Sequence, residues 1–106
     1  DYKNSIEGKT IILSVAPNIM NERKGGKDIL EISTHFDDNY MFLLVGNDKT
    51  EQIKSNVILL SRTNNQMELA SLYSIADLFL VTILEVQLKR HHIHSDILLI
   101  IKILNL

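Results

Sequence analysis

The fold is decided by residues Thr10–Phe36, TIILSVAPNIMNERKGGKDILEISTHF. The first apolar run, Ile11–Val15, has no polar alternation, which is typical of a strand buried on both faces of a parallel sheet. A polar loop follows, and Gly25-Gly26 indicates that the backbone comes close to another group there. Apolar residues at helical spacing come next: Ile29, Ile32 and Phe36. The stretch therefore predicts a strand, a loop and a helix, with the loop at the strand end where parallel sheets bind phosphate-bearing ligands.

Further apolar runs predict three more strands: Met41–Val45, Val57–Leu60 and Leu78–Val81. Gly46-Asn47-Asp48 predicts a turn after the second strand. Thr50–Lys54 is predicted to form one or two turns of helix.

A longer helix is predicted before the fourth strand. Asn65 and Glu68 match a capping box, and four apolar residues follow at i, i+3, i+4 and i+7: Leu69, Leu72, Tyr73 and Ala76. Tyr73 is therefore assigned to the core, and Asp77 is predicted to satisfy nearby backbone groups.

This alternation of strands and helices predicts an α/β fold. We expect a Rossmann-like three-layer domain with a parallel sheet of about four strands, right-handed crossovers and helices on both faces. Residues 1–81 form this domain in our interpretation, and residues 82–106 form a divergent tail.

The tail begins with a basic and histidine-rich patch, Lys89–His94. Ser95-Asp96 and a long Ile/Leu run follow, which can form a helix or a strand, and a helix is slightly favoured. His92 and His94 share a face in an extended segment, but spacing fixes no third ligand. An exposed histidine cluster is therefore preferred to a metal site.

Composition limits the classes of function. The chain has 106 residues, a formal net charge of -2 and no cysteine. A single domain is expected, with no nucleic-acid partner and no disulfide, in the cytoplasm by default. The start, DYKNSIEGK, lacks a signal-peptide pattern, and Ile97–Ile101 is too short to span a bilayer. No integral membrane segment is expected.

Three motifs occur in a fixed order: Arg23-Lys24-Gly25 after the first strand, Leu44-Val45-Gly46 at the end of the second, and Glu68-Leu69-(three residues)-Tyr73-Ser74-(one residue)-Ala76-Asp77 before the fourth. Together they resemble the C-terminal donor-binding domain of GT-B glycosyltransferases of family 4. This retaining group includes many bacterial polysaccharide and capsule transferases. The resemblance covers about residues 11–81 and implies half of a GT-B fold.

The resemblance implies a donor site for a nucleotide-sugar, which is a substrate rather than a cofactor, and no metal for its binding. Lys24, with Gly25, would meet the donor diphosphate, because an ammonium on a flexible stem suits a phosphate oxygen. Ser61, Arg62 and Thr63 would approach the nucleobase, mainly through backbone groups. The parent enzyme would transfer a hexosyl group to a polysaccharide or related acceptor, at the inner face of the membrane.

The sequence also departs from the family pattern. Where many members have an arginine after the first strand, this chain has Ala16-Pro17-Asn18, and the two family glutamates fall near Val86 and His94. Glu85 lies one place short of the first position. No catalytic residue is assigned, and we expect a truncated or frame-disrupted remnant without the acceptor domain, inactive alone.

Two alternatives stay open. One is a non-catalytic interaction module, or a homodimer in which the Ile/Leu-rich tail pairs with a second copy. The other is a phosphate-receiving regulatory domain, which ranks lower because it needs acidic residues at the strand ends. Asp37-Asp38 is most simply a solvated loop pair.

Overall fold

A computed structural model of the protein describes residues 3–21, 25–83 and 98–103. The described elements, in chain order, are α1 (Lys3–Ile6), β1 (Thr10–Val15), α2 (Gly26–Ser33), β2 (Tyr40–Asn47), β3 (Glu51–Lys54), β4 (Val57–Ser61), α3 (Gln66–Ile75), β5 (Leu78–Ile83) and β6 (Leu98–Ile103). Strands and helices thus alternate through most of the chain, and the predicted α/β class is confirmed.

The described strands form one six-stranded sheet in the order β3-β4-β2-β1-β5-β6. Its four inner strands are parallel, whereas β3 and β6 at the two edges are antiparallel to their neighbours. The parallel strands follow the spatial order third, second, first, fourth along the chain, which is the order of doubly wound dinucleotide-binding sheets. The order reverses between β1 and β5. The sheet is therefore mostly parallel and compatible with a Rossmann-like fold.

Helices pack on both faces of this sheet. Ile11 and Leu13 belong to a buried cluster that also contains Leu72 of α3, whereas Ile12 belongs to a second cluster that contains Ile29 of α2. Burying each such side chain contributes roughly 1.5–3 kcal/mol. Successive residues of β1 are buried on opposite faces, which explains why the run is apolar without alternation.

The prediction of a helix at Thr50–Lys54 was wrong. Residues Glu51–Lys54 form β3, which pairs antiparallel with β4 through the register Glu51 to Leu59 and Gln52 to Ile58. A helix of this length forms too few hydrogen bonds to offset the free-energy cost of nucleation, whereas in a hairpin the backbone groups pair with those of the neighbouring strand. β2 also continues through Asn47, so the turn begins two residues later than predicted, at a bend over residues 48–49.

The slightly favoured helix in the tail was also wrong for Leu98–Ile103. These residues form β6, and their backbone pairs with β5 along its whole length, from Leu78–Ile103 to Ile83–Leu98. Periodicity could not separate the two states, and the adjacent strand decides the outcome. The histidine patch at 89–94 lies outside the described residues, so its interpretation stays a prediction.

The predicted helix cap is confirmed. The Asn65 side chain accepts hydrogen bonds from the backbone N–H groups of Met67 (2.9 Å) and Glu68 (3.2 Å). In a capping box the Glu68 carboxylate would accept from the Asn65 N–H directly. Here Thr63 lies between them: its hydroxyl donates to the Glu68 carboxylate and accepts from the Asn65 N–H. The cap therefore also fixes the loop that leads out of β4.

Two further predictions concern the end of α3. Tyr73 is only partly in the core, because 39% of it is exposed, although its ring packs 5.4 Å from that of Phe79. The structural interpretation of Asp77 is confirmed: its carboxylate accepts from the Ile11 N–H at 2.7 Å, and its own N–H donates to the Ile11 carbonyl.

No helix within the described ranges has the length and apolar character to span a bilayer.

Candidate functional site

Three loops meet at the carboxyl edge of the sheet because β1, β2 and β4 are parallel and end there. Backbone hydrogen bonds join the loops after β1 and β4 to the end of β2: Ala16 N–H donates to the carbonyl of Val45 (3.0 Å), Ile19 N–H to that of Gly46 (3.2 Å) and Arg62 N–H to that of Asn47 (2.9 Å). These two loops and the end of β2 therefore form one continuous surface.

Two glycines allow the loop after β1 to fold onto its neighbours. Gly46 has a φ of 129°, and a Cβ at this position would overlap the Ala16 carbonyl. A Cβ on Gly26 would likewise overlap the Ile19 carbonyl. The close backbone approach expected near Gly25-Gly26 is thus real at Gly26, and the partner there is the loop itself.

The guanidinium of Arg62 connects these loops. Its Nε donates to the Pro17 carbonyl at 2.8 Å, and its Nη2 donates to Asn18 Oδ1 at 2.8 Å and to the Gly46 carbonyl at 3.2 Å. Its Nη1 donates to Asp48 Oδ1 at 2.7 Å. One side chain from the loop after β4 therefore binds oxygen atoms from the loops after β1 and β2.

A cavity of about 490 Å³ lies over the ends of β1 and β2 beside this guanidinium. It is lined by two apolar strand ends and by the three loops: Val15, Ala16, Pro17, Val45, Gly46, Arg62, Thr63 and Asn64. This volume is within the usual range for small-molecule sites. An apolar floor with a fixed cation at its rim can bind and orient a ligand that carries oxyanions.

A larger cavity of about 640 Å³ lies on one face of the sheet, between α1, α3 and the end of β4. Leu60 and Leu72 form part of its lining, together with Ser61, Ser71 and Ser74. The smaller cavity is the better candidate site, because it lies at the carboxyl edge where parallel sheets bind ligands and because it has the guanidinium.

The residues predicted for the diphosphate have different outcomes. Lys24 lies outside the described residues, so its role stays a prediction. Gly25 is described: it precedes α2 in a left-handed conformation with φ 83° and ψ 1°, and its carbonyl accepts from the Ile29 N–H. Gly25 therefore sets the direction of the backbone at the start of α2.

The residues predicted for the nucleobase are adjacent but do not share one environment. Ser61 lines the larger cavity, Arg62 the smaller one, and Thr63 both. The backbone N–H of Ser61 already donates to Thr50 Oγ1 at 3.0 Å, and that of Arg62 donates to Asn47. The backbone N–H groups of Ser61 and Arg62 are therefore already paired, and of these two residues Arg62 is the one that lines the smaller cavity.

Sequence reasoning missed the partners of Arg62, namely Asn18 and Asp48. Both follow strands that end at the same edge as β4, so the pairing of a basic residue after one strand with polar residues after two others was the available signal. In the described ranges no group of three histidine, aspartate or glutamate side chains is placed to hold a metal ion. The arrangement can bind and orient a ligand through hydrogen bonds and one positive charge.

The site is thus defined by contacts within this chain: three joined loops, a cavity and a guanidinium at its rim. Those contacts, together with the strand order, are the basis for a functional proposal. Comparison with known proteins found no matching family model, no matching curated protein and no matching solved structure.

Proposed function

We propose that this domain binds the nucleoside diphosphate part of a nucleotide-sugar at the carboxyl edge of its sheet. The parent activity would be that of a retaining glycosyltransferase, which transfers a hexosyl group to a polysaccharide or related acceptor. The observation that supports this proposal is the cavity of about 490 Å³ over the ends of β1 and β2, with the Arg62 guanidinium at its rim.

The order of the strands adds support. In open parallel sheets, ligands bind outside the carboxyl ends of the strands near the point where the strand order reverses. Here the reversal lies between β1 and β5, and the cavity begins at the end of β1. A ligand in the cavity can therefore extend toward the reversal.

The proposed roles follow the family resemblance. Lys24 would bind a diphosphate oxygen, and it directly precedes Gly25, which lies at the N-terminus of α2. The N-terminal end of a helix carries partial positive charge, which favours an anion there. The loop from Ser61 to Thr63 would contact the nucleobase side of the ligand.

We propose binding without turnover for this chain. The two positions at which the family has glutamates fall at about Val86 and His94 in this chain, and neither residue is acidic. Those glutamates normally hold the donor sugar and ribose in the family that the sequence resembles. Nucleotide binding is therefore the activity to measure.

The test is a calorimetric titration with uridine and guanosine diphosphates and their sugars. We expect saturable binding to at least one of them, and Lys24→Ala is expected to weaken it about tenfold or more, as for loss of a charge-assisted hydrogen bond. Lys9→Ala is the matched control, because Lys9 precedes β1 at the opposite edge of the sheet. Equal affinity of the wild type and Lys24→Ala would contradict the proposal.

A second candidate function is a homodimer formed through β6. Within the described residues β6 lies at the end of the sheet with one strand neighbour, and five of its six residues are leucine or isoleucine, LLIIKI. Apolar edge strands favour pairing with another chain. Size-exclusion chromatography over a concentration series tests it: a stable dimer without nucleotide binding would favour this function over the first.

A further inference from the structure

We infer that the Arg62 guanidinium is an anion-binding group at the carboxyl edge of the sheet. In the absence of a ligand, the Asp48 carboxylate occupies the position at Nη1 that the ligand's anion would take. A phosphoryl group entering the cavity would displace Asp48 from Nη1. This inference rests on the proposed function, and it assigns to Arg62 and Asp48 roles that the family resemblance does not imply.

The orientation of the guanidinium is set by neutral groups. The Pro17 carbonyl, the Gly46 carbonyl and the Asn18 amide oxygen accept from Nε and Nη2. These bonds fix the plane of the fork and leave Nη1 directed to the only carboxylate that pairs with it in the described part of the chain. The position of the charge is therefore independent of Asp48.

The Asp48 carboxylate is held weakly compared with the guanidinium. Its side chain is 90% exposed, whereas that of Arg62 is 45% exposed, and Asp48 lies in the bend that follows β2. Ion pairs this exposed contribute little to stability. Rotation of Asp48 into solvent would therefore lose little and would uncover no buried group.

A phosphoryl group is a strong partner for Nη1, the nitrogen that donates to Asp48. Its hydrogen bonds with a guanidinium are charge-assisted. Arg62 lines the cavity beside Pro17, Gly46 and Thr63, whereas Asp48 is not part of the lining. Asp48 thus does not occupy the cavity, and a phosphoryl group bound there would compete with Asp48 for Nη1.

The experiment uses inorganic pyrophosphate as the probe, titrated calorimetrically into four forms of the full chain: wild type, Asp48→Asn, Glu51→Gln and Arg62→Lys. We expect Asp48→Asn to tighten pyrophosphate binding roughly fivefold, the factor for removing one screened charge close to the anion. Glu51→Gln removes a nearby carboxylate that pairs with Lys49 rather than Arg62, and a change below about twofold is expected. Arg62→Lys retains the charge, loses the fork and should weaken binding.

The outcomes separate this inference from the proposed function. Equal effects of Asp48→Asn and Glu51→Gln, or no tightening by Asp48→Asn, would overturn the inference, while nucleotide binding that depends on Lys24 would leave the function standing. Tighter pyrophosphate binding by Asp48→Asn without any nucleotide binding would support the anion site and overturn the function. Absence of pyrophosphate binding to every form would overturn the inference, and absence of nucleotide binding as well would overturn both. Unchanged thermal unfolding of Asp48→Asn confirms that the comparison is between folded proteins.

Discussion

The parallel strands begin at one side of the sheet, the amino edge, and end at the other, the carboxyl edge. These two sides use polar side chains in opposite ways. At the amino edge, Asn56 is 3% exposed, and its side-chain amide donates to the carbonyls of Ser33 (2.9 Å) and Phe36 (3.1 Å). At the carboxyl edge, the Arg62 and Asp48 side chains are 45% and 90% exposed. Buried, fully paired groups stabilise a fold, whereas exposed ones can exchange partners at little cost. This difference is the reason to propose the carboxyl edge, rather than the amino edge, as the place for a ligand.

Further contacts strengthen the amino edge. The Lys54 ammonium donates to the hydroxyl of Ser33 at 3.0 Å, and the Ser55 hydroxyl donates to Asp38 at 2.7 Å. The first bond joins the end of α2 to the hairpin of β3 and β4, and the second joins that hairpin to the loop between α2 and β2. Asp38 is therefore a hairpin contact as well as a solvated loop residue.

The largest expected effect is on the backbone of the carboxyl edge. Gly46→Ala should lower the free energy of unfolding by about 3 kcal/mol or more, because the methyl group would overlap the Ala16 carbonyl. Urea denaturation measures this loss. Gly8→Ala is the control, since Gly8 also has a positive φ, 79°, but has nothing within 4 Å of the added Cβ. We expect that variant to lose only about 1 kcal/mol, and equal losses would exclude the Ala16 contact as the cause.

The next effect concerns the amino edge. Asn56→Ala should lower the free energy of unfolding by about 2–3 kcal/mol, because the carbonyls of Ser33 and Phe36 would lose a buried donor. Gln52→Ala, which removes exposed hydrogen bonds to Lys54 and Ser55, should lose less than about 0.5 kcal/mol. The same denaturation curves compare them. A loss for Asn56→Ala as small as that for Gln52→Ala would mean that the buried amide does not stabilise the amino edge.

The smallest effect is expected for Arg62→Ala, in spite of its four hydrogen bonds. Because the side chain is 45% exposed, water can replace the lost partners, and we expect a loss of about 1 kcal/mol. Denaturation at low and high salt should show a slightly smaller loss at high salt, where the pair with Asp48 is screened. A loss as large as that of Asn56→Ala would remove the contrast between the edges.

Local sequence signals predicted the elements whose patterns are complete within a few residues. Ile11–Val15 predicts the central strand, Asn65 predicts the helix cap, and Asp77 is predicted to satisfy backbone groups, which it does at Ile11. In each case the residue type and its immediate neighbours determine the structure. The α/β class follows from the alternation of such elements.

Other features depend on parts of the chain that are distant in sequence. β3 and β6 are short edge strands whose state is decided by β4 and β5, so periodicity within the segment could not identify them. The Arg62 contacts join residues separated by 45, 44 and 14 positions. That convergence requires the three-dimensional order of the strands, and the sequence predicted only that this loop would lie near the ligand.

Asp77 has a consequence for how the chain folds. It bonds Ile11 through both its carboxylate and its backbone N–H across 66 residues of sequence, next to a ladder of only two residue pairs between β1 and β5. Contacts this distant in sequence form slowly, since a long loop must close first. A slip of one residue would separate the carboxylate from the Ile11 N–H and reverse the faces of β5. We therefore expect Asp77 to select the native alignment when the last parallel strand joins the sheet.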